Sequence, residues 1–214
     1  MLELGLKALA AYLLGAMVGS LVIGLLRGID IRAMGSGNAG ATNALRTQGK
    51  AFGAAVLGID IAKGVIAVAW LPALVIPGIG ADPGVSRSWM TLACGLAVVL
   101  GHVFPVWFGF RGGKGAATIA GVVGAIDVRL LVPMLLGWFV VVALSGYVGL
   151  ATMLAGLAVT ATVAFLDPGD WRLLGFCTLL TAFLVYTHRG NIARMRAGNE
   201  NRVRRLWLFR PRAA

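Results

Sequence analysis

Residues Ala51–Ile76 read AFGAAVLGIDIAKGVIAVAWLPALVI and are closed by Pro77-Gly78. Only Asp60 and Lys63 interrupt this apolar run. As a helix rising about 1.5 Å per residue, it outreaches a hydrocarbon core of about 30 Å. The stretch therefore reads as a membrane span. Charges inside a span are costly and usually face a protein interior, paired. The i,i+3 pair Asp60–Lys63 fits a structural ion pair and a functional site equally well.

Runs of the same kind lie on both sides. They are Leu4–Leu26, Ser88–Phe108, Lys114–Ile126, Val128–Leu144, Tyr147–Leu166 and Leu173–Tyr186. The expected fold is an all-α integral membrane protein, a seven-helix transmembrane bundle with a short fourth helix. That fourth run spans about 20 Å as helix and cannot cross alone. It reads as a half-helix whose leading loop is held at membrane depth by protein. The first run exceeds a signal-peptide core, so it is expected to stay as an uncleaved span. Residues 1–200 are expected to form one seven-span domain, and residues 201–214 a basic cytoplasmic tail.

Composition agrees. Hydrophobic residues make up 59% of the 214 positions and charged residues 13%, against about 25% charged in soluble domains. The 31 glycines also suit membrane helices. Cys94 and Cys177 lie inside apolar runs and read as buried free thiols. No paired Cys/His spacing exists, so no metal and no cofactor are expected.

The formal net charge of +11 is explained by topology. Seven spans put Arg27, Arg32, Arg46, Lys50, Arg111, Lys114 and the eight arginines from Arg189 to Arg212 on one side. Lys7, Arg87, Arg129 and Arg172 fall on the other. The side rich in Lys and Arg should be cytoplasmic, which places the N-terminus outside and the C-terminus in the cytoplasm. Contact with anionic lipid heads is a secondary role. Nucleic acid is excluded as a partner, because no soluble basic face exists to carry it. The expected location is a membrane that the chain crosses repeatedly.

Three polar clusters fall on that basic side. The first is Gly35-Ser36-Gly37-Asn38-Ala39-Gly40-Ala41-Thr42-Asn43, followed by Arg46. Glycine-rich backbone can aim several N–H groups at one anion, with Ser, Thr and Asn as side-chain donors. Arg46 adds a fork that fits phosphate. No GxxxxGK[ST] run exists, so the loop is not that of an ATPase. The second cluster is Gly101-His102-Val103-Phe104-Pro105, then Arg111-Gly112-Gly113-Lys114-Gly115 and Thr118. It opens the short helix, whose N-terminus favours an anion, and Lys114 there suits a second phosphate. One lysine and one arginine would equally suit a simple membrane anchor, but the glycines around them would not. His102, near a span end, is more often a structural hydrogen bonder than a catalyst. The third cluster is His188-Arg189-Gly190-Asn191-Ile192-Ala193-Arg194, then Gly198-Asn199-Glu200. In a helix, His188, Asn191 and Arg194 would share a face. His188 could act as a base or as a phosphate donor. Arg202, Arg204, Arg205, Arg210 and Arg212 read as an ordinary stop-transfer tail.

The GSGNAGATN, GHVFPVWFGFRGGKGAAT and HRGNIARMRAGNE segments resemble the three motifs of the acyl-phosphate-dependent glycerol-3-phosphate acyltransferase family of bacterial membranes. The resemblance runs from about Leu14 to Glu200. It implies transfer of a fatty acyl group from acyl phosphate to glycerol 3-phosphate in seven spans without a metal. The products would be 1-acyl-glycerol 3-phosphate (lysophosphatidate) and phosphate, in phospholipid biosynthesis. It also implies that Ser36, Arg46 and Lys114 hold phosphates and that His188 and Asn191 stand by the reacting atoms. His188, Asn191 and Ser36 are thus the expected catalytic residues. Gly37, Asn38, Gly40, Thr42, Asn43, Arg46, Gly112, Gly113, Lys114, Gly115 and Thr118 are the expected phosphate-binding set, with Lys63 and His102 as further candidates. One departure occurs at Tyr147–Thr152. Many members carry serines there, whereas Gly149 and Ala151 have no hydroxyl and Thr152 is the nearest substitute.

The residues themselves point the same way. Two phosphorylated substrates need two anion sites, and two glycine-rich basic loops face one membrane side. The alcohol proton would pass to His188 or to a phosphate oxygen of the substrate. The other acyltransferase signature, His followed four residues later by Asp, is absent. The competing class is a transporter or binder of anionic solutes or lipids built on broken helices. Its site would lie at the midplane, however, and no inverted repeat is visible.

Overall fold

The computed structural model describes residues 1–203 and 206–209. Arg204, Arg205, Arg210 and Arg212 of the expected basic tail lie outside them. The described residues contain ten α-helices: α1 Leu2–Ala16, α2 Gly19–Arg27, α3 Ala41–Gln48, α4 Lys50–Ala69, α5 Arg87–Val103, α6 Ala116–Ile126, α7 Leu131–Ser145, α8 Val148–Leu166, α9 Trp171–Thr187 and α10 Arg189–Arg196. The chain divides into two compact units, Met1–Ile126 and Asp127–Ala214.

Four stretches are long and apolar enough to cross a membrane: Lys50–Ala73, Arg87–Phe108, Val128–Ser145 and Val148–Leu166. The first apolar run is not one straight helix. It breaks between α1 and α2 with a 49° bend, and the bent pair makes a fifth crossing if it counts as one span. Helices α6 and α9 are shorter. Length and apolarity thus give four or five crossings among the described residues, fewer than the seven runs read from the sequence. The short helix does begin just after the RGGKG run, as its glycines dictate.

In the first unit, glycines set the helix spacing. A Cβ on Gly15 would lie 2.1 Å from the Val98 carbonyl oxygen, and one on Gly101 would lie 2.0 Å from that of Tyr12. Helices α1 and α5 therefore meet backbone to backbone, which only small residues permit. Gly64 and Gly121 do the same for α4 and α6, with 2.4 Å to the Thr118 oxygen and 2.2 Å to the Ile61 oxygen. Cys94 is buried and free in this unit, as Cys177 is in the other.

In the second unit, α8 packs between α7 and α9. Trp138 Nε1 donates to Thr152 Oγ1 at 3.3 Å, and the hydroxyls of Thr160 and Thr181 meet at 2.9 Å. Leu135, Leu136, Phe139 and Val140 of α7 are exposed, the dress of a lipid-facing helix. After α10 the chain returns to the end of α7. The Val203 and Leu208 amides donate to the carbonyls of Gly146 and Ala143, and Trp207 Nε1 donates to that of Leu144. Arg202 lies over the rings of Tyr147 and Trp207, at 4.4 Å and 4.2 Å from their centroids. Arg202 is therefore no loose stop-transfer charge. It fastens a strap over carbonyls that the end of α7 leaves unpaired.

Candidate active site

The first glycine-rich segment is organised by Asn43. Its side-chain oxygen accepts from the Ser36 amide at 2.9 Å, and its Nδ2 donates to the carbonyls of Ile31 and Met34. Asn43 is 1% exposed. Its amide group thus serves the loop rather than facing outward. Gly35 sits at φ +56°, and a Cβ there would lie 2.4 Å from Asn43 Oδ1, so both conformation and space demand glycine. Ser36 and Gly37 are exposed, Asn38 and Gly40 are half-buried, and Gly40 caps the start of α3. Thr42 and Arg46 are exposed on that helix, and Arg46 makes no ion pair among the described residues. The result is a short helix start with a serine, a threonine and an arginine presented around it, a geometry suited to an anion.

The second segment lies along the end of α5. The amides of Gly112 and Gly113 donate to the carbonyls of Val103 and His102, each at 3.1 Å. A Cβ on Gly113 would lie 2.2 Å from His102 Nε2, so only glycine lets the segment lie this close to the ring. Lys114 and Gly115 follow before α6 begins at Ala116. Lys114 is half-buried, while Thr118 is fully buried and its hydroxyl has no hydrogen-bond partner among the described residues. Thr118 is thus placed inside the α4–α6 contact rather than at the loop's surface.

The two segments belong to one compact unit and are tied together by Arg32, which sequence reasoning had counted only as a topology charge. Its Nη1 donates to the carbonyls of Phe108 and Arg111, both at 2.9 Å. Its Nε and Nη2 hold Asp30, and that hydrogen bonding keeps the Asp30 carboxyl below the usual carboxylate range. Phe108 also packs on Val18, Leu21, Ile31 and Ala39. Beside it opens an apolar groove of about 400 Å³, lined by Leu13, Leu14, Met17, Val22, Trp107 and Phe108.

Lys63 and His102 do not reach the surface. With Asp60 they form a sealed cluster, in which Lys63 Nζ lies 3.0 Å from Asp60 Oδ1 and 2.8 Å from His102 Nδ1.

The third segment belongs to the second unit. Helix α9 ends at Thr187 and α10 starts at Arg189, with His188 between them. The expected single helical face is thus broken at His188. His188 is 5% exposed, and its Nδ1 lies 2.8 Å from the Leu184 carbonyl. That contact requires Nδ1–H as donor, which makes Nε2 the basic nitrogen of the neutral ring. Asn191 and Arg194 do converge, through Glu200. Asn191 Nδ2 donates to Glu200 Oε1 at 2.9 Å and Arg194 Nε to Oε2 at 2.6 Å. Glu200 arrives because Gly198, at φ +72°, turns the chain back after α10. Sequence reasoning gave Glu200 no role, although a lone acid among arginines after a turn glycine was a readable signal. Across from Asn191 stands Gly149, where a Cβ would lie 2.8 Å from Asn191 Nδ2. The missing side chain at 149 is the space that Asn191 fills. Thr152 is no spare hydroxyl either, since it donates to the Val148 carbonyl and accepts from Trp138.

Apolar helices with glycine-lined contacts make this an integral membrane protein, and its two basic glycine-rich loops, braced beside an apolar groove, have a geometry suited to small anionic groups. A family profile described as glycerol-3-phosphate acyltransferase matches residues 6–198. Proteins named glycerol-3-phosphate acyltransferase are similar along most of the chain. That of Chlorobaculum parvum is 38% identical, covering 90% of this chain and 93% of its own. That of Aquifex aeolicus is 39% identical, covering 90% and 95%. That of Bacillus velezensis is 41% identical, covering 94% and 98%. The crystal structure of PlsY, an integral membrane glycerol 3-phosphate acyltransferase, in its glycerol 3-phosphate form matches with a TM-score of 0.80. It is 35% identical and covers 93% of this chain and 94% of its own. Its lysophosphatidic acid form matches with a TM-score of 0.77. The chain belongs to the glycerol-3-phosphate acyltransferase family.

Proposed function

We propose that this protein transfers a fatty acyl group from acyl phosphate to glycerol 3-phosphate. The observation that carries the reading is the brace at Arg32. It sets two basic glycine-rich loops side by side, with Phe108 belonging both to their packing and to the apolar groove. Two loops suit two phosphates, and an apolar groove suits an acyl chain.

In the reaction a hydroxyl oxygen of glycerol 3-phosphate attacks the acyl carbonyl carbon. The new C–O ester bond forms, the C–O bond to phosphate breaks, and inorganic phosphate leaves with the electron pair. Phosphate is a good leaving group, so the protein's main work is to hold both reactants and to stabilise developing charge. Ser36, Arg46 and Lys114, with the amides of Gly40 and Gly115, hold the phosphates, whereas the amides of Gly37, Gly112 and Gly113, expected among the phosphate donors, are used on the carbonyls of Met34, Val103 and His102 and shape the loops instead. Asn38 and Thr42 add donors, and Asn43 keeps the first loop in shape. His188 accepts the hydroxyl proton at Nε2, the nitrogen that the Leu184 contact leaves basic. Asn191, held by Glu200, stands beside it.

The donor is the sharpest test. Purified protein is given glycerol 3-phosphate with either palmitoyl phosphate or palmitoyl-CoA, and lysophosphatidate is measured. Turnover is expected with the phosphate and not with the CoA ester. Coenzyme A would need a nucleotide-sized surface, and neither short basic loop offers one. Turnover with the CoA ester alone would overturn the donor assignment, and turnover with neither would favour a transporter.

We infer further that all seven apolar segments lie within the bilayer, with the N-terminus outside and the C-terminus in the cytoplasm of a bacterial inner membrane. The Lys and Arg distribution supports it. Single cysteines introduced after Glu200 should resist a membrane-impermeant thiol reagent in intact cells, and ready labelling would reverse the orientation.

A further inference from the structure

Asp60, Lys63 and His102 are buried, with side chains 1%, 3% and 3% exposed, inside helices that cross an apolar layer. Nothing in the transfer reaction uses them. A buried ion pair is weak support for stability, since well-packed apolar residues often do as well. The reason for these three lies in what they hold.

On one side they hold a break. Helix α1 ends at Ala16 and α2 begins at Gly19. A break strands carbonyls at the end of one helix and amides at the start of the next. In an apolar layer each must find a partner within the protein. Lys63 Nζ donates to the carbonyls of Gly15, at 2.8 Å, and Met17, at 3.3 Å. Asp60 Oδ1 accepts from the Gly19 amide at 3.2 Å. A cation thus closes a helix C-terminus and an anion a helix N-terminus, each the sign that the dipole favours. With Asp60 Oδ1 and His102 Nδ1 added, the ammonium has four acceptors around it. This is the surrounding of a bound cation, with the cation tethered to α4.

On the other side stands the second glycine-rich loop. An ammonium donating to His102 Nδ1 leaves the ring proton on Nε2, the atom that faces Gly113. The His102 carbonyl accepts from the Gly113 amide. The ring and backbone of one residue thus form the bed on which the residue before Lys114 lies.

We propose that Lys63 is a built-in internal cation whose cage of Gly15, Met17, Asp60 and His102 fixes the seat of the Gly112–Lys114 loop. Asp60, Lys63 and His102 are positioning residues, which act on the substrate's phosphate through Lys114 and touch no reacting atom. This rests on the reading of that loop as a phosphate cradle.

The test uses the full chain in lipid nanodiscs, with KM and kcat measured for both substrates. Lys63→Ala should raise KM for the same substrate whose KM Lys114→Ala raises. The rise should be at least about tenfold, the scale of one misplaced charge-assisted contact, with a smaller change in kcat. Methylammonium should restore KM in Lys63→Ala by refilling the cage, and tetramethylammonium, which has no N–H, should not. A second arm guards against poor folding. Gly113→Ala puts a methyl against the His102 ring, so His102→Ala should partly relieve the Gly113→Ala defect in the double variant. An unchanged KM in Lys63→Ala beside an impaired Lys114→Ala overturns the positioning role alone. So do purely additive effects of Gly113→Ala and His102→Ala. So does a Lys63→Ala that keeps KM but loses kcat and one limb of its pH profile, which would mark a proton route. An unaffected Lys114→Ala takes down the cradle reading itself.

Discussion

His188→Ala lowers kcat/KM by about 10²–10⁴-fold, the usual contribution of a positioned proton-transfer group. The expectation follows from the ring's surroundings. His188 is 5% exposed, sits at the junction of α9 and α10, and uses Nδ1 on the Leu184 carbonyl. That contact fixes the ring's plane and tautomer, as a carboxylate fixes the histidine in other acyl-transfer sites. A fixed Nε2 lone pair is what a general base requires.

His188→Asn separates the two roles. Asparagine can donate a hydrogen bond to a phosphate but cannot carry the proton at neutral pH. If the variant keeps a substantial rate, His188 is a phosphate donor and a substrate phosphate oxygen takes the hydroxyl proton. If His188→Asn fails as badly as His188→Ala, the base assignment stands. Near-normal turnover in His188→Ala removes both roles.

The parts of the site that were readable in the sequence were those built from local composition. The first loop announced itself because Gly35, Gly37 and Gly40 alternate with small donors and end in Arg46. The second did so because an Arg-Gly-Gly-Lys-Gly run opens a helix too short to span. What escaped were long-range couplings. The Leu4–Leu26 run breaks at Met17 and Val18, two apolar residues that give no polar sign of it. The residues that make the break tolerable, Asp60 and Lys63, lie far along the chain, where they looked like a pair for each other alone. Arg32 likewise read as one charge among many, since its carbonyl partners at Phe108 and Arg111 belong to another segment. Helical spacing put His188, Asn191 and Arg194 on one face. The chain breaks at His188, and it is Glu200 that gathers the other two. Periodicity finds neighbours along a helix, and it says nothing of a turn that folds the chain back.

Lys114→Ala should remove nearly all activity at ordinary substrate concentrations while the protein still inserts and folds. Lys114 stands two residues before α6, and its backbone neighbours are pinned by Val103 and His102. The backbone before the lysine is thus held by α5, and a variant that inserts and folds normally assigns the loss to the ligand contact. Losing a charge-assisted phosphate contact costs about 1.5–3 kcal/mol in binding, which is roughly 10- to 150-fold. A contact that tightens in the transition state adds a fall in kcat to the rise in KM. Arg46→Ala should act similarly, because Arg46 is exposed on α3 and has no ion-pair partner among the described residues whose loss could unsettle the fold. Arg46→Lys should recover only part of the activity, since a point charge cannot replace a two-pronged grip on phosphate. Comparing the two alanine variants also assigns the loops. The substrate whose KM rises in Lys114→Ala sits at the second loop, and the one whose KM rises in Arg46→Ala sits at the first. If both variants keep near-normal kcat and KM, the two basic loops are membrane anchors and the phosphates are held elsewhere.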